Sequence, residues 1–325
     1  MMRPPEFWQH LDGRAAAPVT RSLLTPMSWL YDRLAQRRSA KIVPTKVSVP
    51  VICIGNITVG GTGKTPLALL VAKTLLGQGV QPAFLSRGYG GQQRSSVQVD
   101  LKLHGFADVG DEPLLLAKTA PTFVGRDRVA SAKLAIAGGA QVLILDDGFQ
   151  NPSLAKDLSV LVIDAGAGHG NGRIFPAGPL REPVARALNR ADAVVLVGAG
   201  PQPNLAGFTG PMLRANIRAR QPVPTGKLLA FAGIGRPQKF FDHIREAGAD
   251  LEQEIAFADH HAYRAKDVAN LFAWTTRSGI RLITTEKDIL RWPEETRDQV
   301  LVWAIDMVFE HPGDLVQVLQ KANIR

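Results

Sequence analysis

Residues 51–66, Val-Ile-Cys-Ile-Gly-Asn-Ile-Thr-Val-Gly-Gly-Thr-Gly-Lys-Thr-Pro, constrain this chain more than any other stretch. An apolar run breaks into glycines and closes on Gly63-Lys64-Thr65, which reads as a strand, a phosphate-cradling loop and the start of a helix. Such a loop works because glycines let successive backbone N–H groups turn inward onto phosphate oxygens. The lysine reaches the β- and γ-phosphates, and the threonine hydroxyl is a ligand for Mg²⁺. Thr58 stands where the usual spacing has a glycine, so the loop is a variant P-loop. Gly60, Gly61, Thr62, Gly63, Lys64 and Thr65 are its predicted nucleotide-binding residues.

At 325 residues the chain is long enough for two domains, and an apolar fraction of 45% suits a protein with real cores. The single cysteine, Cys53, falls inside the apolar strand before the loop, which leaves no internal disulfide and predicts a buried thiol. A formal charge of +9 fits nucleic acid, an anionic membrane surface or an anionic substrate, and charge alone does not choose among them.

The first 46 residues carry neither a signal peptide nor an apolar run of the ~18–20 residues that crosses a bilayer. From Thr20 to Arg38, Leu23, Met27, Leu30 and Leu34 recur at helical spacing, flanked by Trp29 and Tyr31 and by Arg21, Arg33, Arg37, Arg38 and Lys41. This is a basic amphipathic helix that either lies in the headgroups of an anionic leaflet or packs on the domain, with Pro26 marking its first turn or a kink.

After the loop, a helix from Leu67 to Leu76 and a strand from Gln81 to Ser86 complete a βαβ unit, the building block of a parallel sheet. Asp111, before the apolar Leu114–Ala117, reads as a helix N-cap. The strand Val142–Leu145 runs into Asp146-Asp147-Gly148-Phe149-Gln150. A strand end is where a P-loop protein places the aspartate that holds Mg²⁺, and two adjacent carboxylates there repel unless a cation sits between them. Strands Ser159–Ile163 and Ala193–Val197 give this half a doubly wound look, and between them the Gly- and Pro-rich stretch 170–183 reads as a substrate-facing loop or a charged surface turn.

Prolines at 201, 203, 211, 222 and 224 mark a connector. A second α/β unit follows, with strands Leu228–Phe231, Glu252–Phe257 and Arg281–Thr284 and helices Gln238–Glu246 and Lys266–Thr276. Its His260-His261 pair has no Cys or acidic partner at zinc-ligand spacing and reads better as a proton-handling or phosphate-facing group.

Taken together these residues resemble the tetraacyldisaccharide 4'-kinase family, the P-loop kinases that phosphorylate the lipid A precursor at the bacterial inner membrane. The matching runs are Gly60–Pro66 after Gly55-Asn56, Ser86–Gly90, Gly110–Pro113, Gly125–Arg128, Asp146–Gln150, Pro176–Glu182, Phe231–Gly235, Asp259–His261 and Thr284–Asp288, in the same order. The resemblance implies a P-loop NTPase-type parallel sheet flanked by helices and a second, smaller α/β domain joined by a hinge. With the proline connector, the expected division is 1–46 (amphipathic membrane-docking helix), 47–212 (kinase core) and 213–325 (smaller domain).

It further implies ATP and Mg²⁺, with Lys64 on the β/γ-phosphates and Thr65, Asp146 and Asp147 completing the metal and nucleotide site. Asp111 matches the family's candidate general base for the sugar 4'-hydroxyl and His260 its histidine partner; Arg126, Arg128 and Gln150 are expected near the phosphates. The implied partners are an acylated disaccharide 1-phosphate and the cytoplasmic face of the inner membrane, with the basic residues serving anionic lipid and substrate, not nucleic acid. One departure is Asn151, where family members often carry histidine. The rival reading, a regulatory GTPase or metal-delivery NTPase, lacks the Asn/Thr-Lys-x-Asp run of guanine recognition: Asn189-Arg-Ala-Asp192 precedes its strand, and Thr285-Glu-Lys-Asp288 has its lysine one place late.

Overall fold

A computed structural model describes residues 5–324. Residues 1–4 of the expected amino-terminal segment, and Arg325, lie outside the described residues. The strands are β1 (Val51–Gly55), β2 (Pro82–Ser86), β3 (Val97–Gln98), β4 (Thr122–Val124), β5 (Val142–Asp146), β6 (Leu158–Asp164), β7 (Ala193–Val197), β8 (Met212–Ala219), β9 (Lys227–Ala232), β10 (Asp250–Ala256), β11 (Arg281–Thr285), β12 (Val300–Trp303) and β13 (Ile305–Phe309). The α-helices are α1 (Pro18–Ala40), α2 (Lys64–Gly77), α3 (Phe106–Val109), α4 (Asp111–Ala117), α5 (Arg128–Ala137), α6 (Val184–Leu188), α7 (Pro237–Glu246), α8 (Ala265–Ser278) and α9 (Asp314–Lys321).

A nine-stranded sheet runs β13-β8-β7-β6-β1-β5-β2-β4-β3, and a four-stranded sheet runs β10-β9-β11-β12. In the larger sheet every pairing from β8 to β4 is parallel, and only the two edge strands are antiparallel. β1 lies mid-sheet between β5 and β6 and is buried throughout, as a strand covered on both faces must be. Its residues alternate between two cores: Ile52 and Ile54 join Leu67, Val71 and Leu75 of α2, while Val51 and Cys53 join Ala132 and Ala135 of α5. The parallel strands therefore end on one common edge, the place where open α/β sheets bind ligands.

The smaller sheet is parallel throughout. It packs α7 on one face through Phe240, Phe241 and Ile244, and α8 on the other through Leu271. The core under α8 also takes in Val109, Leu114, Leu115 and Val124, so apolar packing joins the smaller sheet to α4 beside the larger one. Tyr263 and Trp292 fill that junction, their rings 5.3 Å apart.

The stretch expected as a connector contains β8, whose Leu213 and Ala215 point into the larger core. Its neighbouring prolines obscure this in the sequence, but Pro211 and Pro222 stand outside the strand. From the carboxyl end, β13 returns to pair with β8, and Leu315, Val318 and Leu319 of α9 pack on the same core. The division between sheets thus does not coincide with the expected cut at 212/213: the chain leaves the larger sheet after β8 and comes back for its last strand and helix.

The amino-terminal helix is longer than its sequence pattern, with Pro18 at its start and Pro26 in its interior, not its first turn. Its inward face is held mainly by polar contacts, with the Tyr31 ring set against Phe175 at 5.5 Å. The Ser28 hydroxyl, buried, donates to the Ile174 carbonyl at 2.8 Å and accepts from the Ala177 N–H at 3.1 Å, and Asp32 accepts both ends of the Arg186 guanidinium at 2.7 and 2.9 Å. The apolar face points outward: Leu23 is 73% exposed, with Met27, Trp29, Leu30 and Leu34 also exposed. Among the described residues no helix is long and apolar enough to cross a membrane.

Candidate active site

β1 delivers the phosphate loop to the strand-end edge, and local packing fixes its shape. Gly55 is required by crowding, since a Cβ there would stand 2.4 Å from Cβ of Phe149. The Asn56 amide donates to the Thr58 carbonyl at 2.8 Å and the Thr62 hydroxyl at 3.1 Å, so the loop is braced from inside. The 170–183 stretch supports it from outside: the Val59 N–H donates to the Pro179 carbonyl and the Arg181 N–H to the Ile57 carbonyl, at 2.8 and 2.7 Å. Gly63 adopts φ +93° immediately before α2, and Lys64 and Thr65 open that helix.

β5 brings Asp146 to the same place. Its Oδ2 lies 3.4 Å from the Thr65 hydroxyl, while Oδ1 is buried without a hydrogen-bond partner. Burial raises the Asp146 pKa, as does the Glu112 carboxylate, against the pull of Lys64 and Lys287. A buried carboxylate with one oxygen toward a threonine hydroxyl and the other orphaned suits a divalent cation. Among the described residues no three His, Cys, Asp or Glu side chains cluster to hold a metal by themselves. Mg²⁺ asks for only one or two protein carboxylates, since it keeps several waters and takes substrate phosphate oxygens as well.

Asp147 follows in a left-handed conformation, φ +55°. Arg181 Nη1 donates to both of its oxygens, at 3.0 and 3.1 Å, and Lys64 Nζ stands 3.7 Å away. Burial raises its pKa, but these two cations outweigh burial and hold it below the usual carboxylate range. Gln150 points back to the loop, its amide donating to the Asn56 carbonyl at 2.9 Å and to Glu182 at 3.1 Å. Arg128 is buried and donates to the carbonyl of Gly125 in its own loop, whereas Arg126 is exposed. Burial, then the neighbouring Arg87, brings the Arg128 pKa down to about 10. Asn151, at the family's frequent histidine position, bonds the Ser153 N–H and hydroxyl through its side-chain oxygen and closes a local turn.

Asp111 is not the N-cap its sequence position suggests. Gly110 holds that place with φ +88°, where a Cβ would meet the Tyr89 carbonyl at 2.4 Å, and Asp111 is the first residue of α4. Its carboxylate accepts from the Glu112 N–H at 2.9 Å and faces His260 Nδ1 at 3.1 and 3.2 Å. The Arg291 Nε stands 3.3 Å from the same carboxylate. Burial works against ionisation here, but His260, Lys287 and Arg291 overcome it and bring the Asp111 pKa down to about 2. The hydrogen bond to Asp111 in turn raises the His260 pKa above its ordinary value, with burial opposing. His260 comes from the smaller sheet, at φ +56°, with its N–H tied to the Gly233 carbonyl at 2.9 Å. His261 turns away to Asp267 at 3.0 Å.

Four further residues, Glu112, Lys287, Asp288 and Arg291, lie around the pair. Lys287 pairs with Glu112 at 2.6 Å, and its pKa is raised against the effect of burial by Glu112, Asp111 and Asp146, so one lysine feels both the Asp111 carboxylate and the strand-end one. Arg291, buried, links Asp111 to the fully buried Asp288, which it meets at 2.7 Å. The runs Gly110–Pro113 and Thr284–Asp288 contain Glu112 and Lys287, yet spacing alone does not tell that they pair. Arg181 and Glu182, adjacent in sequence, separate in space: the first goes to Asp147 and the second to Arg190, at 2.5 Å.

The sequence profile of tetraacyldisaccharide-1-P 4'-kinase matches residues 20–323. A tetraacyldisaccharide 4'-kinase of Hyphomonas neptunium is 47% identical over 322 residues, covering 98% of this chain and 97% of that protein. One of Methylobacterium nodulans is 48% identical over 320 residues, covering 96% and 93%. Among solved structures, LpxK of Aquifex aeolicus in complex with ATP aligns with a TM-score of 0.76 at 27% identity, over 93% of this chain and 99% of that one. With sequence and fold matched over nearly their whole length, the chain belongs to the tetraacyldisaccharide-1-P 4'-kinase family.

Proposed function

We propose that the chain transfers the γ-phosphoryl group of ATP to the 4'-hydroxyl of an acylated disaccharide 1-phosphate, with the Asp111–His260 pair receiving the hydroxyl proton. The observation that carries this reading is the pair itself: a carboxylate beside the larger sheet, bonded at 3.1 Å to a histidine from the smaller one, with Lys287 drawn to both that carboxylate and the strand-end Asp146. A sugar hydroxyl attacks phosphorus poorly until a base takes its proton, and the rest of phosphoryl transfer asks for positioning and charge. Lys64 neutralises the β/γ-phosphates, and the backbone of Gly60, Gly61, Thr62 and Gly63 cradles them. Gln150 keeps the loop in shape, and Arg126 is the exposed arginine available to phosphate. Thr65 and Asp146, with Asp147 alongside, would hold Mg²⁺, which would supply neutralisation of the phosphate charge.

In the leading assignment Asp111 is the proton acceptor and His260 orients it. A second assignment reverses the two, and a specific observation favours it: the Asp111 side chain is 2% exposed and ringed by cations, while that of His260 is 25% exposed. A carboxylate with a pKa of about 2 is a weak base. The pH dependence of turnover separates them. If Asp111 accepts the proton, turnover is level from pH 8 down to 5. If neutral His260 accepts it, turnover falls as pH drops through that residue's raised pKa, which gives an acid limb above 6.5 that His260→Ala removes along with most activity.

The outward face of α1 supports docking on a membrane. Leu23, Met27 and Leu30 would enter the headgroup–acyl boundary while Arg33, Arg37 and Arg38 meet anionic lipid, placing the enzyme where an acylated substrate resides, on the cytoplasmic face of the inner membrane.

A further inference from the structure

We propose that Arg236, carried on the smaller sheet, is the arginine that meets the transferring phosphoryl group. The assignment rests on the phosphate loop holding the nucleotide as proposed above. Arg236 ends the connection from β9 to α7 and reaches across to the loop of the larger sheet. Gly60 has φ +115° and no side chain; a Cβ added there would stand 3.4 Å from Arg236 Nε and 3.8 Å from Nη2. The guanidinium therefore lies against the bare backbone of the loop. Gly235 is as close, since a Cβ on it would stand 3.5 Å from the Gly61 nitrogen.

A carboxylate aims this guanidinium. Arg236 Nη1 donates to Asp164 Oδ2 at 2.8 Å, an oxygen that Lys239 also contacts. Asp164 is buried at the end of β6, the strand beside β1, and its other oxygen accepts the N–H groups of Gly166 and Ala167 at 3.1 and 3.2 Å. One corner of the planar fork is thus fixed, and the Nε–Nη2 edge is the one turned to Gly60. A guanidinium carries five N–H donors in a rigid arrangement, so a group anchored through one nitrogen still presents others to phosphate oxygens. An arginine brought to a phosphate loop from a second unit stabilises the charge that develops on the transferring group, and in related chemistry is worth ~10³–10⁵ in rate. Lys64 comes from α2 and Arg236 from the smaller sheet, so the full set of cations exists only when the two sheets stand together.

The test compares Arg236→Ala, Arg236→Lys and Lys64→Ala in the full-length enzyme, with kcat measured on ATP and acceptor and Kd measured for ADP. The expected result is a loss of about 10²-fold or more in kcat for both Arg236 variants, with ADP affinity changed less than about threefold. Lysine keeps the ion pair to Asp164 but not the fork, so full rescue by Arg236→Lys would reduce Arg236 to a latch between the sheets and overturn the proposal. Near-normal turnover in Arg236→Ala, with Lys64→Ala inactive, would overturn the arginine assignment alone. Normal turnover in Lys64→Ala would overturn the placement of the nucleotide on which it rests. Should Arg236→Ala fail to fold, Arg236→Lys decides by the same criterion.

Discussion

Replacing Asp111 by asparagine separates chemistry from folding, because the amide matches the carboxylate in shape but neither accepts a proton nor holds charge. A carboxyl shifted from 3.8 to about 2 contributes about 2 kcal/mol of stability once ionised. With the folded-state value depressed, that contribution is present above 3.8 and is lost as pH falls toward about 2. The partner behaves oppositely: His260, raised in the folded state, adds stability that is complete below 6.5 and disappears as pH rises through its raised value. Asp111→Asn should therefore be destabilised most near pH 5–6, by about 2 kcal/mol and a few degrees of Tm, with the difference narrowing at alkaline pH. The variant stays folded at 25 °C. Loss of a positioned base costs about 10²–10⁴ in turnover, so kcat should fall by that factor while ATP still binds. Thermal scans across pH, calorimetric ATP binding and a radiolabel transfer assay on the same preparation read all three. Turnover within about tenfold of the parent would remove Asp111 from the proton path, whatever the stability data gave.

Two other perturbations test separate parts of the site. Lys64→Ala should abolish turnover and weaken ATP binding without unfolding the protein, since Asp147 keeps Arg181 at 3.0 Å; ATP titration followed by thermal denaturation checks both halves. Leu23→Asp combined with Leu30→Asp alters only the exposed face of α1 and removes up to about 2 kcal/mol of apolar insertion per leucine, so binding to phosphatidylglycerol vesicles should drop more than tenfold with turnover on detergent-dispersed acceptor retained. Unchanged vesicle binding would exclude this face as the docking surface.

Much of the larger sheet is legible in the chain because parallel strands buried on both faces are short continuous apolar runs, and each of β1, β5, β6 and β7 is one. β8 is not, since it alternates at the sheet's far side between arginines and inward Leu213 and Ala215, among prolines that read as a connector. The return of β13 to pair with β8 is a long-range event that no local pattern announces. At the site, glycines and strand-end carboxylates have local signatures, so Lys64, Thr65, Asp146 and Asp147 stand out. Asp111 does not, because a carboxylate at a helix start is explained by the helix alone; its meeting with His260 spans 149 positions in sequence. Arg291 carries no motif at all. Its role comes from burial between two carboxylates, Asp111 at 3.3 Å and Asp288 at 2.7 Å, a property of packing alone.

The polarity of α1 shows the same limit from the other side. The heptad-like spacing of Leu23, Met27, Leu30 and Leu34 marks an apolar stripe, but spacing does not say which way it faces. The answer lies in three polar anchors on the opposite side: Ser28 on the 170–183 stretch, Asp32 on Arg186, and Arg173, which donates to Thr25 at 3.2 Å. Polar groups, with the Tyr31 ring on Phe175, tie the helix to the protein and leave the Leu23–Leu34 stripe outward, the reverse of a helix packed on a core.

The most direct test of the whole account is transfer of labelled γ-phosphate to purified acylated disaccharide 1-phosphate by the parent enzyme, with ATP and GTP compared in parallel. The expected result is Mg²⁺-dependent label on the 4'-oxygen, with ATP the better donor; hydrolysis of nucleotide with no label on that acceptor would contradict it.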